Sequence, residues 1–309
     1  MSIKTSDRSL LSWMPPSAAT YIYTVLLKPP PLRRLAQWVV KRLIPPVMNF
    51  RGAPLALNQQ DAIVSGSLAL GFYETFVIDV IENLLRPGMT FLDVGANIGL
   101  YTALAARIVG PSGRVIAVEP SSSNCALIKE TVRLNAFGNV IVFEGAASDD
   151  AGRAALFLCD DNPADHRLHD RTGKRAKVEV ETITLDALAA ERGVGRADLI
   201  KIDTQGAEAS VLAGMTALLN VDPAPAITLE FWPWGLSQAG SDPRALLDRI
   251  IAAGFSLYEL DGDRRQIIPR NDLAALVGLD LERQHINLLL CKEPQDVEKL
   301  RRALSSRSV

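Results

Sequence analysis

The chain has 309 residues, of which 48% are hydrophobic and 22% are charged. A chain this apolar can bury a sizeable core, which excludes disorder over most of its length and fits one large domain with an added segment or two modest domains. Its 33 Lys and Arg against 35 Asp and Glu give a formal net charge of -2, whereas a protein built mainly to neutralise nucleic-acid phosphates would be basic.

The first part of the chain, residues 1–60, is predicted to be a proline-rich helical extension. Between its proline clusters a helix is predicted from Leu32 to Ile44, with Leu32, Leu35, Val39 and Leu43 on one face and polar or basic residues on the other. We expect this helix to cover one edge of its own domain, as most amphipathic helices do. The alternative is contact with an anionic membrane surface or with a partner.

Residues 61–292 are predicted to form the main domain, because short apolar runs alternate there with helical stretches. This alternation predicts an α/β fold with a mostly parallel sheet covered by helices on both faces. Weak helical character before the final strand favours an antiparallel direction for that strand. The predicted strands cover residues 90–94, 115–118, 140–143, 199–202, 227–231, 256–260 and 286–291. Helices are predicted at residues 100–109, 123–135, 207–219 and 243–253.

One insertion interrupts the alternation between residues 152 and 182. Two further strands, residues 152–158 and 178–182, are predicted on either side of a polar loop that runs from Asp160 to Lys177. Long loops in compact domains often carry function. The insertion belongs to the domain of residues 61–292, and residues 293–309 are predicted to be a C-terminal tail.

The expected compartment follows from what the sequence lacks. The three cysteines, Cys125, Cys159 and Cys291, lie far apart without a C-x-x-C pair, which suits a reducing cytosol. No apolar run reaches the ~18 residues that predict a membrane-spanning helix. The first ten residues do not have the pattern of a secretory signal. We therefore expect a cytoplasmic protein.

The strongest motif is a glycine-containing loop, DVGANIGLYT, which runs from Asp93 to Thr102 at the end of a predicted strand. In open parallel sheets, ligands bind at the carboxyl ends of strands near the point where the strand order reverses. Gly95 lets the backbone turn sharply, and Gly99 lets the next helix approach closely. Glu119 ends the following strand, 24 residues after Gly95, where a carboxylate can accept hydrogen bonds from both hydroxyls of a ribose.

The loop favours S-adenosylmethionine over a dinucleotide as the cofactor. The dinucleotide fingerprint G-x-G-x-x-G has a middle glycine that admits the pyrophosphate, and Asn97 stands at that place here. Asp93 adds a carboxylate, which suits a cofactor that has no phosphate and carries a cationic amino-acid arm. The carboxylate of that arm can meet backbone N–H groups at the start of the helix.

Three motifs together resemble the FkbM family of class I methyltransferases that depend on S-adenosylmethionine. They are DVGANIG at residues 93–99, VEP at residues 118–120 and IKIDTQGAE at residues 200–208. The resemblance extends from about residue 71 to residue 292 and includes the Tyr73-Glu74 pair. In the family's usual last motif, K-[IV]-D-[VI]-E-G-[AY]-E, a Glu stands where this chain has Gln205.

The resemblance implies a Rossmann-like sheet of seven strands with an antiparallel last strand. It also implies O-methylation of sugar or polyketide hydroxyls as the activity. The predicted cofactor-binding residues combine the loop, the acid at the ribose and the positions that the resemblance adds. They are Glu74, Asp93, Gly95, Ala96, Asn97, Gly99, Tyr101, Thr102, Glu119, Ala147, Ser148 and Asp203.

A general base is expected near the methyl group, because an alcohol is a poor nucleophile until its proton is removed. Asp203 follows the strand of residues 199–202 and is the first candidate, although an Asp here can also cap a helix. Glu208 is either a second carboxylate of the site or a solvated residue of the first helical turn. Glu230, beside aromatic residues at the next strand end, is a third candidate or the buried partner of an arginine.

The polar loop supplies two of the three histidines in the chain, His166 and His169, as further candidates for the base. Basic residues of the same loop could hold an anionic acceptor, and a solvated loop is the alternative. These residues are Arg167, Arg171, Lys174, Arg175 and Lys177. No metal site is predicted, because the neighbouring Asp160, Asp161 and Asp165 fit no ligand spacing known for a metal.

The leading hypothesis is an S-adenosylmethionine-dependent O-methyltransferase that acts on a hydroxyl of a sugar or another small molecule, and a glycan or an anionic acceptor fits it. The alternatives are an NAD-type oxidoreductase of the same architecture and a non-catalytic interaction protein that works through its N-terminal helix. Nucleic acid is not the expected acceptor. The chain lacks the [DNS]-P-P-[YF] motif usual for methylation of base amino groups, and its net charge is negative.

Overall fold

The computed structural model describes residues 30–71, 73–159, 166–170, 173, 175–278 and 285–305. The strands in these ranges are β1 Val47–Phe50, β2 Ala53–Ala56, β3 Thr90–Val94, β4 Arg114–Glu119, β5 Val140–Glu144, β6 Ala146–Ala147, β7 Gly152–Phe157, β8 Lys177–Ile183, β9 Leu199–Ile202, β10 Ala226–Phe231, β11 Ser256–Asp261, β12 Gln266–Pro269 and β13 Ile286–Cys291. The helices are α1 Pro30–Leu43, α2 Val64–Leu70, α3 Thr75–Leu84, α4 Leu100–Val109, α5 Ser122–Asn135, α6 Leu185–Glu191, α7 Glu208–Ala213, α8 Thr216–Leu219, α9 Pro233–Gln238, α10 Pro243–Ala252, α11 Leu273–Val277 and α12 Pro294–Ser305.

The central sheet has eight strands in the order β12-β11-β13-β10-β9-β3-β4-β5. The pairs β10–β9, β9–β3, β3–β4 and β4–β5 are parallel, while β13 runs antiparallel between β10 and β11. The predicted fold class, a mostly parallel Rossmann-like sheet with an antiparallel last strand, is therefore confirmed. The strand order reverses at β3 and β9, and their carboxyl ends define the edge where a ligand is expected.

The sheet has one strand more than the seven that the family resemblance implies. The additional strand, β12, pairs antiparallel with β11 at the edge of the sheet. It has four residues, of which only Ile267 is buried, so it leaves no periodic apolar pattern in the sequence. The turn before β12 places Arg265 in the left-handed region with a φ of 53°. A short edge strand of this kind cannot be predicted from alternation of apolar and polar residues.

The two faces of the sheet bury separate apolar cores, as the alternation of side chains along β9 illustrates. Ile200 and Ile202 belong to the core on one face, and Leu199 belongs to the core on the other. Lys201 lies between them in sequence and is 6% exposed, so the strand carries one buried charge at its carboxyl end. A buried ammonium requires a charged partner, and this one is found in the cavity described below.

The insertion forms a small second sheet in the order β6-β8-β7. Strands β7 and β8 pair antiparallel from Gly152 opposite Thr182 to Phe157 opposite Lys177, close to the predicted limits. Strand β6 pairs parallel with β8 and follows directly after β5. The small sheet therefore stands beside the carboxyl ends of β4 and β5.

The predicted helix of residues 207–219 is divided into α7 and α8 by Gly214. A Cβ atom at this glycine would lie 2.0 Å from the carbonyl oxygen of Ser148, so no other residue fits without displacing the backbone. The sequence predicts one helix because the two short helices share a single apolar face. The break itself arises from a tertiary contact, which the local pattern does not contain.

Segments outside residues 61–292 pack on the same core as the helices of the main domain. Leu55 in β2 is fully buried in the core that contains Ile81 of α3, and the N–H group of Ala56 donates to the Thr131 hydroxyl of α5 at 3.0 Å. At the other end of the chain, Val297 and Leu300 of α12 are buried in that core as well. The predicted domain limits at residues 60 and 292 stay predictions.

Helix α1 is present, as predicted, but its apolar face does not pack as we expected. Val40 and Ile44 contact the domain, whereas Val39 is 41% exposed and Leu43 is 50% exposed. The tight contact is with α2, where a Cβ atom at Gly66 would lie 2.7 Å from the Cγ1 atom of Val40. The amphipathic pattern thus identified the helix, but Val39 and Leu43 of its predicted apolar face do not dock on the domain.

Within the described residues, no single helix is long and apolar enough to span a membrane. Helices α2 and α3 pass that test of length and composition only together, as a pair bent by 86°.

Candidate cofactor and active site

A cavity of about 310 Å³ lies at the carboxyl ends of β3, β4, β9 and β10. This is the edge where the strand order reverses, and its volume lies at the lower end of the range for small-molecule sites. The cavity wall includes half of the predicted site residues: Glu74, Gly95, Asn97, Glu119, Ala147, His166, Asp203 and Glu230. Among the described residues, the other predicted ones lie outside that wall: Asp93, Ala96, Gly99, Tyr101, Thr102, Ser148, His169 and Glu208.

Gly95 shapes the cavity because it brings two loops into contact. Its φ is +78°, and a Cβ atom there would lie 1.8 Å from the carbonyl oxygen of Asp203. The loop after β3 therefore touches the loop after β9, and only glycine permits this approach. Gly99, with a φ of +85°, instead packs against Ile128 of α5 and sets the start of α4.

Glu119 is positioned by hydrogen bonds from its own chain. Its carboxylate accepts the N–H of Asn97 at 2.8 Å, the N–H of Ser121 at 2.9 Å and the side-chain amide of Asn124 at 3.2 Å. Burial raises the pKa of Glu119 to about 7, although these donors act in the opposite direction.

Asp93 lies behind the loop rather than in the cavity wall. It is fully buried, and its Oδ2 atom accepts the hydroxyl of Thr102 at 2.6 Å. Burial raises the pKa of Asp93, while the nearby Lys201 acts in the opposite direction. Its predicted part in holding the amino-acid arm of the cofactor stays a prediction.

Glu74 and Tyr101 form a second hydrogen-bonded pair at the cavity. The Tyr101 hydroxyl donates to the Oε2 atom of Glu74 at 2.7 Å, and Glu74 itself has a left-handed φ of 37°. Burial raises the pKa of Glu74, and the charge of Asp203 raises it further. Tyr101 thus acts on the cavity through Glu74, since its own side chain lies outside the wall.

Asp203 and Glu230 form a carboxyl pair across the ends of β9 and β10. The amide of Gln205 donates to both of them, at 2.9 Å to Asp203 and at 2.5 Å to Glu230. Burial raises the pKa of Glu230 well above its usual range, and the charge of Asp203 adds to this effect. Burial acts on Asp203 in the same direction, but the Lys201 ammonium at 3.2 Å lowers the pKa of Asp203 overall. These opposite shifts favour the ionised form of Asp203 and the protonated form of Glu230.

Glu208 is neither solvated nor in the cavity wall. Its Oε1 atom accepts the N–H and the hydroxyl of Thr204, at 3.0 and 3.1 Å, and the N–H of Gly206 at 3.0 Å. The residue is 1% exposed, and burial raises its pKa. Glu208 thus fixes the loop that carries Asp203 and Gln205, and its predicted catalytic part stays a prediction.

The two histidines of the polar loop are placed differently. His166 lines the cavity, and its Nδ1 atom accepts the N–H of Cys159 at 3.1 Å, so the proton of the neutral ring is on Nε2. His169 packs against the loop after β9, with its Cε1 atom 2.8 Å from the place of a Cβ atom at Gly206. The predicted basic residues Arg171 and Lys174 lie outside the described residues, as do Asp160, Asp161 and Asp165.

Two polar side chains in the cavity wall, those of Asn124 and His285, belong to none of the predicted motifs. Asn124 lies one turn into α5, and His285 lies directly before β13, with its Nε2 atom 3.6 Å from the Oε1 atom of Glu230. Because β13 is antiparallel, its beginning lies at the edge where the parallel strands end. The predicted direction of the last strand was therefore the signal that could have identified His285.

An aromatic wall closes the side of the cavity formed by β10. The guanidinium of Arg167 lies 4.6 Å from the ring centre of Trp232 and 5.5 Å from that of Trp234, and the two rings are 5.1 Å apart. Arg167, which belongs to the predicted basic cluster, is thus stacked on rings beside the cavity rather than spread in a solvated loop. Within the described residues, no group of three or more His, Cys, Asp or Glu is arranged to hold a metal ion.

The donors and acceptors of the cavity fit a nucleoside cofactor with an amino-acid arm. The Oδ1 atom of Asn124 is buried and has no hydrogen-bond partner among the described residues, so it can accept a donor from a bound ligand. It lies beside Glu119, whose carboxylate suits ribose hydroxyls. Glu74 and the Asp203 pair supply negative charge elsewhere in the same cavity, where a cationic group would be stabilised.

The family described as the methyltransferase FkbM domain matches residues 93–257, which is more than half of the chain. The 31-O-demethyl-FK506 methyltransferase FkbM of Streptomyces tacrolimicus is 30% identical over 161 residues, 42% of this chain and 61% of that protein. Ribosomal RNA large subunit methyltransferase E of Acidithiobacillus ferrooxidans is 40% identical over 60 residues, 19% of this chain and 27% of that protein. The chain thus spans less than two thirds of the length of these relatives.

Two solved methyltransferase structures illustrate the similarity of the fold. The methyltransferase FkbM from Methylobacillus flagellatus KT is 16% identical, with a TM-score of 0.40 over 84% of this chain and 59% of that one. The O-methyltransferase from Bacillus cereus in complex with SAH is 14% identical, with a TM-score of 0.41 over 89% of this chain and 96% of that one.

The matched residues 93–257 run from Asp93 in β3 to Leu257 in β11 and include the ends of all four strands around the cavity. The match confirms the predicted cofactor, S-adenosyl-L-methionine, and leaves the NAD-type alternative without support. By its sequence motifs, its sheet and this match, the chain belongs to the methyltransferase FkbM domain family.

Proposed function

We propose that the chain transfers a methyl group from S-adenosyl-L-methionine to a hydroxyl oxygen of a sugar or another small-molecule acceptor. The observation that carries this proposal is the combination of two acid sites in one cavity. Glu119 and Asn124 form the site suited to a nucleoside, and the Asp203–Glu230 pair forms a site suited to proton transfer.

The cofactor, when bound, supplies an electrophilic methyl group, so the chain's own residues have to hold and align the reactants. Glu119 and Asn124 provide acceptors for the hydroxyl and amino groups of the nucleoside. Gly95 keeps the loop after β3 close to the loop after β9, so the nucleoside end and the acid pair share one cavity. Alignment of this kind, rather than covalent chemistry by the protein, is the main demand of a methyl transfer.

Asp203 is the group best placed to remove the acceptor's proton. The Lys201 ammonium lowers the pKa of Asp203 and favours its ionised form, whereas burial and the charge of Asp203 raise the pKa of Glu230 and favour its protonated form. When S-adenosyl-L-methionine is bound, its sulfonium would give up the methyl group and leave as the thioether of SAH, and the Asp203 carboxylate would accept the proton of the attacking hydroxyl. The His285 side chain is 52% exposed, and its Nε2 atom lies 3.6 Å from the Oε1 atom of Glu230, so it places a polar group between the acid pair and solvent.

His166 is a weaker candidate for the base in this arrangement. Its Nδ1 atom accepts the N–H of Cys159, so the neutral ring has its proton on Nε2 and acts there as a donor. A donor in the cavity wall can bind an acceptor molecule through its oxygen atoms. We therefore assign His166 to binding of the acceptor and Asp203 to proton transfer.

The wall around Trp232 supports a small acceptor with a ring. Aromatic side chains stack against the faces of sugars and planar molecules, and the Arg167 guanidinium on Trp232 adds donors beside that surface. Some relatives are named as ribosomal RNA methyltransferases, but the charge of the catalytic region does not favour RNA. Residues 47–309 hold 26 Lys and Arg against 34 Asp and Glu, which would repel a polyanion.

The test is methyl transfer from isotope-labelled S-adenosyl-L-methionine to a panel of sugars, glycosides, polyketide alcohols and total RNA. Asp203→Asn is expected to lower kcat by roughly 10²-fold or more, because it removes the proton acceptor, and to lower the affinity for SAH by a smaller factor. His166→Ala is expected to raise KM for the acceptor with a smaller effect on kcat. The matched control is Asp149→Asn, an exposed carboxylate that lies outside the cavity wall.

Labelled product with the label on an oxygen of a small molecule would support the proposal. Label on RNA, or on a nitrogen or carbon atom of the acceptor, would contradict the proposed acceptor class. Full activity of Asp203→Asn on the true acceptor would show that Asp203 is not the base. SAH binding without transfer to any acceptor would favour the non-catalytic alternative.

A further inference from the structure

Helix α1 exposes an apolar surface that the domain does not cover. Trp38, Val39 and Leu43 are 53%, 41% and 50% exposed, whereas Val40 packs on α2. They are three of the five large hydrophobic side chains that are exposed among the described residues. Apolar exposure is therefore concentrated on one helix face, which is typical of a surface that binds something.

The basic residues of the same helix define the chemistry of its partner. The sequence of α1, PPLRRLAQWVVKRL, has four basic residues and no acidic one. The guanidinium of Arg42 lies 4.0 Å from the ring centre of Trp38, so charge and aromatic surface are adjacent on the exposed side. Tryptophan beside Arg and Lys is the combination that favours the interface of a lipid bilayer.

Charge is strongly separated along the chain. The first 46 residues hold seven of the 33 Lys and Arg and one of the 35 Asp and Glu, so they carry a formal charge of +6. Residues 47–309 carry the remaining 26 basic and 34 acidic residues, a formal charge of -8. The net charge of -2 for the whole chain conceals this contrast. An anionic surface would attract the N-terminal part selectively.

We propose that the exposed face of α1, formed by Trp38, Val39, Arg42 and Leu43, docks the protein on a membrane surface rich in anionic lipid. The helix lies in the plane of the interface, with its apolar side chains among the acyl chains and its basic side chains at the headgroups. Val40 and Ile44 hold the helix to the domain. Docking therefore needs no rearrangement of the fold.

Charge favours lipid over the two other occupants of this face. A second copy that paired its α1 with this α1 would bring two basic helices together, and like charges repel. Residues 1–29 have three basic side chains and one acidic side chain, so this segment carries a formal charge of +2 and is also repelled. An anionic membrane is the partner that complements both the apolar and the basic side chains.

The test is co-sedimentation of the full chain with vesicles of phosphatidylcholine alone and with vesicles containing about one third phosphatidylserine. We expect binding only to the anionic vesicles, weakened by added salt. The charge variant Lys41→Glu with Arg42→Glu and the apolar variant Trp38→Ser with Val39→Ser should each weaken that binding at least about tenfold, or about 1.4 kcal/mol. The matched control on α10 is Arg249→Glu with Ile251→Ser, where Ile251 is 44% exposed.

Isothermal calorimetry with SAH is the check that each variant keeps its folded cofactor site, so this test does not depend on the proposed methyl transfer. Equal binding to both kinds of vesicle, no binding to either, or equal effects of the α1 and α10 variants would overturn the proposal. A dimer in sedimentation velocity that Trp38→Ser with Val39→Ser dissociates would overturn it in favour of a second copy.

Discussion

Glu119 organises the end of the cavity that is suited to a ribose. Its two oxygen atoms accept donors from Asn97, Ser121 and Asn124, yet burial still raises its pKa to about 7. The carboxyl group is therefore partly protonated at neutral pH in the protein without ligand. We expect ribose hydroxyls to donate hydrogen bonds to the ionised form, so binding of the nucleoside should be coupled to the loss of a proton.

The affinity for SAH should consequently depend on pH. It is expected to be about tenfold weaker near pH 6 than near pH 8, because binding at the lower pH has to remove the proton from Glu119. The stability of the unliganded fold has the opposite pH dependence, since it decreases where the affinity for SAH increases. The folded pKa is raised above 4.5, so the stabilising contribution of the proton is lost as pH rises from about 4.5 through about 7.

Calorimetric titration with SAH at both pH values checks this prediction, with Glu119→Gln as the control. The Gln variant keeps the shape of the side chain and cannot titrate, so its weaker affinity should be nearly the same at both pH values. A wild-type affinity that does not change with pH would show that Glu119 does not receive the ribose hydroxyls.

At the scale of residues, the sequence predicts position along a strand but not the direction of a side chain. Strand ends identified Glu119, Asp203 and Glu230, because the carboxyl ends of parallel strands share one edge of the sheet. Spacing alone could not show that Asp93 lies behind the loop or that Glu208 binds its own loop. Those outcomes depend on hydrogen bonds formed only when the strands assemble.

At the scale of elements, the contact between the loops after β3 and β9 holds the cavity together. Gly95 has a left-handed φ, and the place of its missing Cβ atom lies 1.8 Å from the carbonyl oxygen of Asp203. Any side chain there would separate the two loops. The distance between the nucleoside end of the cavity and the acid pair would then increase as well.

Gly95→Ala is therefore expected to lower SAH affinity at least about tenfold and to reduce the melting temperature by several degrees. Gly240→Ala is the matched control, because Gly240 also has a left-handed φ, +90°, but has no atom within 4 Å of the place of its Cβ. It should lose only the roughly 1 kcal/mol that a left-handed alanine costs, with SAH affinity unchanged. Equal effects of the two substitutions on SAH affinity would contradict the importance of the loop contact.

The periodicity of apolar residues predicted most helices and strands, but it did not predict those whose limits depend on a tertiary contact. The limits of β3 and α4 match the prediction, since both have a regular apolar pattern bounded by glycine or a polar turn. The division between α7 and α8 arises from Gly214 against Ser148, and β12 exists by pairing with β11. Neither contact can be read from the residues that surround the break or the strand.

At the scale of the whole molecule, the core on one face of the sheet extends beyond the predicted domain. Leu55 in β2 is fully buried in that core, and Leu300 in α12 is 4% exposed in the same core. The sequence suggested a limit at residue 60 because the proline-rich first 60 residues differ from the regular alternation of strands and helices that follows. Prolines end helices but do not stop a short hairpin from packing, and the proline of β2, Pro54, lies in a strand at an edge.

Leu55→Ala is expected to lower the free energy of unfolding of the whole domain by about 2–5 kcal/mol, because it leaves a cavity in the core shared with α3. Leu43→Ala serves as the control for the same change at a side chain that is 50% exposed, and it should cost less than about 0.5 kcal/mol. Thermal unfolding followed by far-UV circular dichroism measures both. If residues 1–60 were a separable extension, Leu55→Ala would leave the main transition where it is in the wild type. A shift of that single transition would place the hairpin of β1 and β2 inside the cooperative unit that carries the cavity.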